Sequence, residues 1–143
     1  MLITALMDTY LLEKDLTVFY VEAASFPEGI GAAFYTLMKK LPYTEGRTLF
    51  GISWMGESQE IIYKAAVREM YEGEAKKYGR ETFVIKRGVY CVETITEWQG
   101  KEPRIGEAFA RLLEHPDLDP KGACVEWYTG DDVMCMVRLN NPV

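Results

Sequence analysis

A carboxylate and a phenol alternate along one apolar segment late in the chain. The β-branched and aromatic residues of segment 123–129, Ala-Cys-Val-Glu-Trp-Tyr-Thr, predict a strand. Strand side chains alternate between two faces, so Glu126 and Tyr128 share one face and Trp127 takes the other. A carboxylate among apolar neighbours is costly to bury unless it is solvated, paired or protonated. Glu126 is therefore the residue whose chemistry needs an explanation.

Two explanations of Glu126 stay open at this stage. In the first, Glu126 is structural: it forms an ion pair with Arg138 or Arg68 on a neighbouring strand, or lies exposed at a sheet edge. In the second, it is the counter-ion of a ligand. Aromatic faces attract cations, so a carboxylate together with several rings suits a hydrophobic, cationic small molecule.

Four aromatic residues are candidates for such a ligand pocket around Glu126. Each ring taken alone is more often a large apolar filler of the core, and Trp127, on the opposite face, is expected to pack under the helices. The predicted ligand-binding residues are Glu126, Tyr128, Trp54, Tyr90 and Trp98.

The other reactive side chains predict no metal, cofactor or nucleophile. Cys91, Cys124 and Cys135 are too few and too irregularly spaced for a disulfide framework or a zinc site, and we expect them to be buried in a reducing compartment. The single histidine, His115, has no further ligands nearby. The segment 29–31, Gly-Ile-Gly, lacks the third glycine of a dinucleotide-binding loop.

Composition predicts one globular domain, residues 1–143. The chain carries 16 basic and 22 acidic residues, a net charge of −6, and 48% of its residues are apolar. A chain of this length can bury enough apolar surface to fold without a disulfide or a structural metal ion. The excess of acidic residues disfavours direct nucleic-acid binding. The first 14 residues fit neither a signal peptide nor a membrane span, so we expect a cytoplasmic protein.

The chain resembles itself at an offset of 75 residues. Ile30–Leu37 and Ile105–Leu112 share Ile, Gly, Ala, Phe and Leu, and each has one apolar stripe at helical spacing. Pro42 and Pro116 are expected to end the two helices. The segment 25–28, Ser-Phe-Pro-Glu, matches a capping box at the start of the first helix.

Strand-like segments flank both predicted helices and predict a β-α-β-β unit used twice. The copies cover about 15–70 and 82–140, and the polar linker 71–81 allows one helical turn. We therefore expect an α+β fold: a pseudo-twofold antiparallel sheet with two helices on one face and a ligand cleft on the other.

The motifs together resemble the GyrI-like small-molecule-binding domain, also called the bacterial transcription activator effector-binding domain. The resemblance covers about residues 15–143. It rests on Glu126-Trp127-Tyr128, on Phe83 followed by Lys86-Arg87-Gly88-Val89-Tyr90, on the helix 105–113, and on the closing Pro142-Val143.

The resemblance implies a tandem β-α-β-β pseudo-dimer whose Glu126 lies in the cleft and contacts cationic, aromatic drugs. Regulatory members add a helix-turn-helix, for which residues 1–14 leave no room, so we expect a stand-alone member that senses, sequesters or responds to a ligand. Some stand-alone relatives hydrolyse cyclopropane-bearing alkylating agents, and in that alternative Glu126 orients or deprotonates water. A third alternative is a protein-interaction module of gyrase-inhibitor type. We expect binding rather than catalysis.

Overall fold

The computed structural model describes residues 8–42 and 46–140, which form eight strands and three helices. The strands are β1 (Asp8–Leu12), β2 (Leu16–Glu22), β3 (Leu49–Met55), β4 (Ile61–Arg68), β5 (Glu81–Ile85), β6 (Gly88–Ile95), β7 (Cys124–Thr129) and β8 (Asp132–Arg138). The helices are α1 (Ile30–Met38), α2 (Glu74–Lys77) and α3 (Glu102–Leu112). The strand pairs are antiparallel, which confirms the α+β class. None of the helices in this described part is long and apolar enough to cross a membrane.

The chain divides into two compact units. Unit 2 is continuous, Asp15–Ile85, and its strands lie in the order β3–β4–β2–β5. Helix α1 packs on one face of this sheet, where its Ala33 and Leu37 meet Phe19, Tyr63 and Val67 in two apolar clusters. These contacts explain why an apolar stripe at helical spacing folds against alternating strands.

Unit 1 combines the first strand of the chain with its last third. Its described residues are 8–14 and 86–140, and its strands lie in the order β1–β6–β8–β7. Helix α3 buries Ala108, Phe109 and Leu112 against Cys91 and Cys135 of the sheet. One face of the unit 1 sheet is therefore covered by α3, and we call it the helix face. The pairing register of β7 with β8 shows which residues of β7 point to this face.

Each unit contains strand, helix, strand and strand in chain order, together with one further strand. Strand β1 pairs with β6 of unit 1, whereas β5, which the sequence assigns to the second copy, pairs with β2 of unit 2. The predicted copies begin at about residue 15, so the prediction missed the edge strand at residues 8–12. The predicted repeat and its pseudo-twofold relation stay predictions.

The start of α1 differs from the prediction. The helix begins at Ile30 with Gly29 as N-cap, and no side chain caps it, so the predicted capping box at 25–28 is wrong. The Gly29 N–H donates to the Ser25 carbonyl at 3.1 Å. Residues 25–28, which were predicted to cap the helix, therefore form a turn before it. A Cβ on Gly29 would lie 2.8 Å from the Ser25 backbone, so this turn needs glycine.

The predicted linker contains one helical turn, α2, which a buried ion pair fixes in place. Arg47 donates to both carboxylate oxygens of Glu74, at 3.0 and 2.5 Å, and the Met70 N–H donates to the same carboxylate at 2.9 Å. Only 5% and 1% of the two side chains is exposed. The linker is therefore a packed part of unit 2.

Candidate functional site

Strand β7 places Glu126 and Tyr128 on the helix face of unit 1. In the antiparallel register Glu126 lies opposite Cys135, and Cys135 packs in the α3 cluster. Residues opposite one another in a sheet share a face, so Glu126 and Tyr128 point to the side that α3 covers. The expectation that the helix and the glutamate lie on opposite faces is wrong for this unit.

Trp127 consequently points away from α3, and the prediction that it packs under a helix is wrong. Its ring meets Tyr10 of β1 edge to face, with the ring centroids 5.9 Å apart. Alternation correctly separates Trp127 from its neighbours on β7. Which of the two faces receives the helix depends on the apolar partners on β6 and β8, and alternation within one strand does not contain that information.

Glu126 is a buried carboxylate held by a phenol. It is 8% exposed, and Glu126 and Glu74 are the two buried charged residues of the described chain. The Tyr128 hydroxyl donates to Glu126 Oε1 at 2.5 Å, a short bond of the kind that charged acceptors form. The two groups are two residues apart on one face, so the phenol reaches back along its own strand.

The second predicted ring, Trp98, joins this pair from the loop between β6 and α3. Its ring lies 5.1 Å from the Tyr128 ring at an interplanar angle of 61°. The loop is tied to the β7–β8 turn, because the Trp98 N–H donates to the Asp131 carbonyl and the Glu97 N–H to the Asp132 carboxylate, each at 3.1 Å. Glu126, Tyr128 and Trp98 therefore form one cluster, which we call the Glu126 cluster.

A second carboxylate lies across the sheet from Glu126 and has a different partner. Glu93 of β6 and Glu126 of β7 both lie opposite Cys135, one on each side of it. The Nε and Nη2 groups of Arg111 on α3 donate hydrogen bonds to the Glu93 carboxylate, at distances of 2.7 to 3.2 Å. Sequence reasoning missed this ion pair, although the position of Arg111 on the amphipathic helix α3 was visible in the sequence.

The alternative in which Glu126 forms an ion pair with Arg138 is wrong. Arg138 lies on the opposite face, where it pairs with Asp119 at 2.9 Å and donates to the Arg87 carbonyl, also at 2.9 Å. The two side chains point to opposite sides of β8 and β7, so they cannot meet. Arg68, the other predicted partner, ends β4 in unit 2 with an exposed side chain.

Two of the predicted pocket residues lie outside the Glu126 cluster. Tyr90 precedes Cys91 in β6, so its side chain points to the face away from α3. There its hydroxyl donates to the Lys86 carbonyl at 2.5 Å. Tyr90 is buried there as part of the sheet. Trp54 belongs to unit 2, where its ring stacks on Phe83 with centroids 6.1 Å apart.

Trp54 does contact a cation, but that cation is the chain's own Lys64. The Lys64 ammonium lies 4.0 Å from the centroid of Tyr20, 4.8 Å from Trp54 and 5.6 Å from Phe83. Three ring faces around one ammonium satisfy it through their quadrupoles. The prediction placed Trp54 in a ligand pocket around Glu126 and missed Lys64 on β4 as its partner, because the sequence does not show which strands are adjacent.

Burial and the nearby carboxylate keep the cysteines protonated. Desolvation, followed by the charge of Glu126, raises the pKa of Cys124 to about 11 and that of Cys135 to about 12. Burial also raises the pKa of Cys91. Since the thiolate is the reactive form, these residues are poor nucleophiles and metal ligands. In residues 8–42 and 46–140 no group of three or more His, Cys, Asp or Glu side chains is arranged for a metal ion.

This protonation predicts slow alkylation of the native thiols. We expect the three cysteines of the folded protein to react with iodoacetamide at pH 8 at least tenfold more slowly than in the urea-unfolded protein, because raised pKa values leave little thiolate. Mass spectrometry after timed quenching measures the rates. Reaction of Cys124 at the unfolded rate in the native protein would contradict the desolvation of its thiol.

Comparison with known proteins finds solved structures of similar fold. No protein-family model matches the chain, and neither does any curated protein sequence. The structure of the integron cassette protein VCH_CASS2, from the mobile metagenome of Vibrio cholerae, is similar with a TM-score of 0.67 and 13% sequence identity, over 93% of this chain and 95% of that one. The protein SAV2435 bound to tetraphenylphosphonium is similar with a TM-score of 0.63 and 12% identity, over 92% and 93% of the two chains. At these identities the likeness shows the fold alone.

Proposed function

We propose that this protein binds a hydrophobic cationic small molecule at the Glu126 cluster. The observation that carries the proposal is a buried carboxylate set among aromatic side chains: Glu126 accepts from Tyr128, and Trp98 packs on Tyr128. A buried carboxylate in low dielectric attracts a cation far more strongly than one in water does. Aromatic faces add to that attraction and supply the apolar surface.

The fold supports the proposal independently of the cluster. SAV2435, which has a similar fold, is bound to tetraphenylphosphonium, a cation with four aromatic rings. We infer that the present chain has the architecture of a GyrI-like domain, in which two β-α-β-β copies related by a pseudo-twofold axis form the sheet. Sensing, sequestration and effector binding in the cytoplasm are the roles that such a module would serve. Hydrolysis of strained electrophiles and binding to a protein partner remain the alternative predictions.

The proposal predicts discrimination by charge at constant shape. Tetraphenylphosphonium and tetraphenylborate have nearly the same size and apolar surface but opposite charge. We expect the cation to quench tryptophan fluorescence at least tenfold more tightly than the anion, because a buried carboxylate attracts one ion and repels the other. Equal affinities for the two ions would show that only apolar contact is at work, and absence of binding by the cation would remove the proposed ligand class.

A further inference from the structure

The indole of Trp98 carries a buried hydrogen-bond donor without an acceptor. Its Nε1 atom is shielded from solvent, and it is the single buried side-chain nitrogen or oxygen of the described chain that has no hydrogen-bond partner. Burying an N–H group in this way is unfavourable, because the group loses its hydrogen bonds to water and gains none in the protein. Such groups are rare in native proteins, and each calls for an explanation of its own.

This donor lies in the Glu126 cluster and is held in a fixed position. Trp98 contacts Tyr128, and Tyr128 donates to Glu126, so the indole N–H and the carboxylate belong to groups that touch the same phenol ring. Backbone hydrogen bonds at Trp98 and Glu97 fix the loop on the β7–β8 turn. A donor that is already positioned costs no further ordering when a ligand arrives.

We propose that the ligand of the Glu126 cluster is a cation that also carries a neutral oxygen acceptor, which the Trp98 indole N–H binds. The proposal rests on the proposed function and narrows its ligand class. Glu126 supplies the negative charge for the cationic centre, while Trp98 supplies one donor for an ether, carbonyl or hydroxyl oxygen. A carboxylate or phosphate group on the ligand is excluded as the acceptor, because the carboxylate of Glu126 in the same cluster would repel it.

The Tyr128 ring offers a competing explanation of the buried N–H. An indole can direct its N–H toward an aromatic face, a contact that is real but weak. In that arrangement Trp98 would be satisfied within the protein and would not distinguish ligands by their oxygen atoms. The two explanations therefore predict different responses to a ligand pair that differs in one oxygen.

Two phosphonium cations provide that pair. Butyltriphenylphosphonium and 2-methoxyethyltriphenylphosphonium have side arms of the same length, and an ether oxygen in the second replaces a methylene group of the first. We measure both dissociation constants for the wild-type protein and for Trp98→Phe, which keeps a ring but lacks the donor. The preference for the ether cation should be about threefold to tenfold larger in the wild type, the effect of one hydrogen bond. The same preference in both proteins would overturn the inference.

A spectroscopic measurement on the wild-type chain covers the case in which Trp98→Phe does not fold. The ¹⁵N–¹H signal of the Trp98 indole should move downfield when the ether cation binds and should stay near its free position with the butyl cation. Equal movement with both cations would overturn the inference. If neither cation binds, the proposed function fails as a whole, and that result is distinct from equal binding of both.

Discussion

Tetraphenylphosphonium should bind the Glu126→Gln variant at least tenfold more weakly than it binds the wild-type protein. Glutamine keeps the size of the side chain and can still accept from Tyr128, so the substitution removes the charge and leaves the packing. Tenfold corresponds to about 1.4 kcal/mol, a modest fraction of what a buried counter-ion contributes. Titration of tryptophan fluorescence gives both dissociation constants.

The matched control for that experiment is Glu107→Gln. Glu107 lies on α3 with an exposed side chain, and its substitution changes the net charge of the protein by the same single unit. Affinity in this control should stay within a factor of two, because exposed charges are screened by solvent and salt. Unfolding in urea establishes that both variants are folded. Equal affinity of Glu126→Gln and the wild type would exclude Glu126 as the anchor.

Glu74→Gln is expected to lower the free energy of unfolding by about 3–5 kcal/mol, the cost of breaking a buried ion pair at one end. The Arg47 guanidinium would remain buried with a neutral amide in place of its carboxylate, and Met70 would lose part of its acceptor. Urea denaturation measures the change. Glu72→Gln, an exposed substitution in the same segment, should change stability by less than about 0.5 kcal/mol.

The same ion pair gives a dependence of stability on pH. Hydrogen bonds from Arg47 hold the pKa of Glu74 below its ordinary value of 4.5. A carboxyl whose pKa is lower in the folded state stabilises the protein above its unfolded pKa, and this contribution is lost as the pH falls through the folded pKa. Stability of the wild type should therefore fall below pH 4.5, and the fall should be smaller in Glu74→Gln. An unchanged acid profile would show that Arg47 does not hold the carboxylate.

The centre of the candidate site could be predicted because it depends on local periodicity. Glu126 and Tyr128 are two residues apart in a strand, so alternation alone places them side by side. Trp98 lies in a loop that hydrogen bonds to Asp131 and Asp132 hold in place. The sequence identified the ring as a candidate but contains no local pattern that positions this loop. Tyr90 and Trp54 were assigned to the same pocket by residue type, and type does not determine the face or the strand neighbour.

The fold could be predicted to the level of its class and most of its elements. The apolar stripes of α1 and α3 and the alternating strands follow from spacing that the sequence displays. Strand β1 was missed because five residues, Asp-Thr-Tyr-Leu-Leu, carry little signal when only one edge is paired. Its partner β6 lies some 80 residues away in the chain, and no local pattern contains that pairing.

The pairing of β1 with β6 and of β5 with β2 sets the order in which the two units can be completed during synthesis. Unit 2 is one continuous stretch, Asp15–Ile85, so all of its strands are available once β5 has left the ribosome. The sheet of unit 1 is completed later, because β1 is synthesised before unit 2 and its partners β6, β7 and β8 are synthesised after it. Until β6 is available, the unpaired backbone groups of β1 can form hydrogen bonds with non-native strands. We therefore expect the half of the protein that carries Glu126 to fold late and to be the half that depends on chaperones.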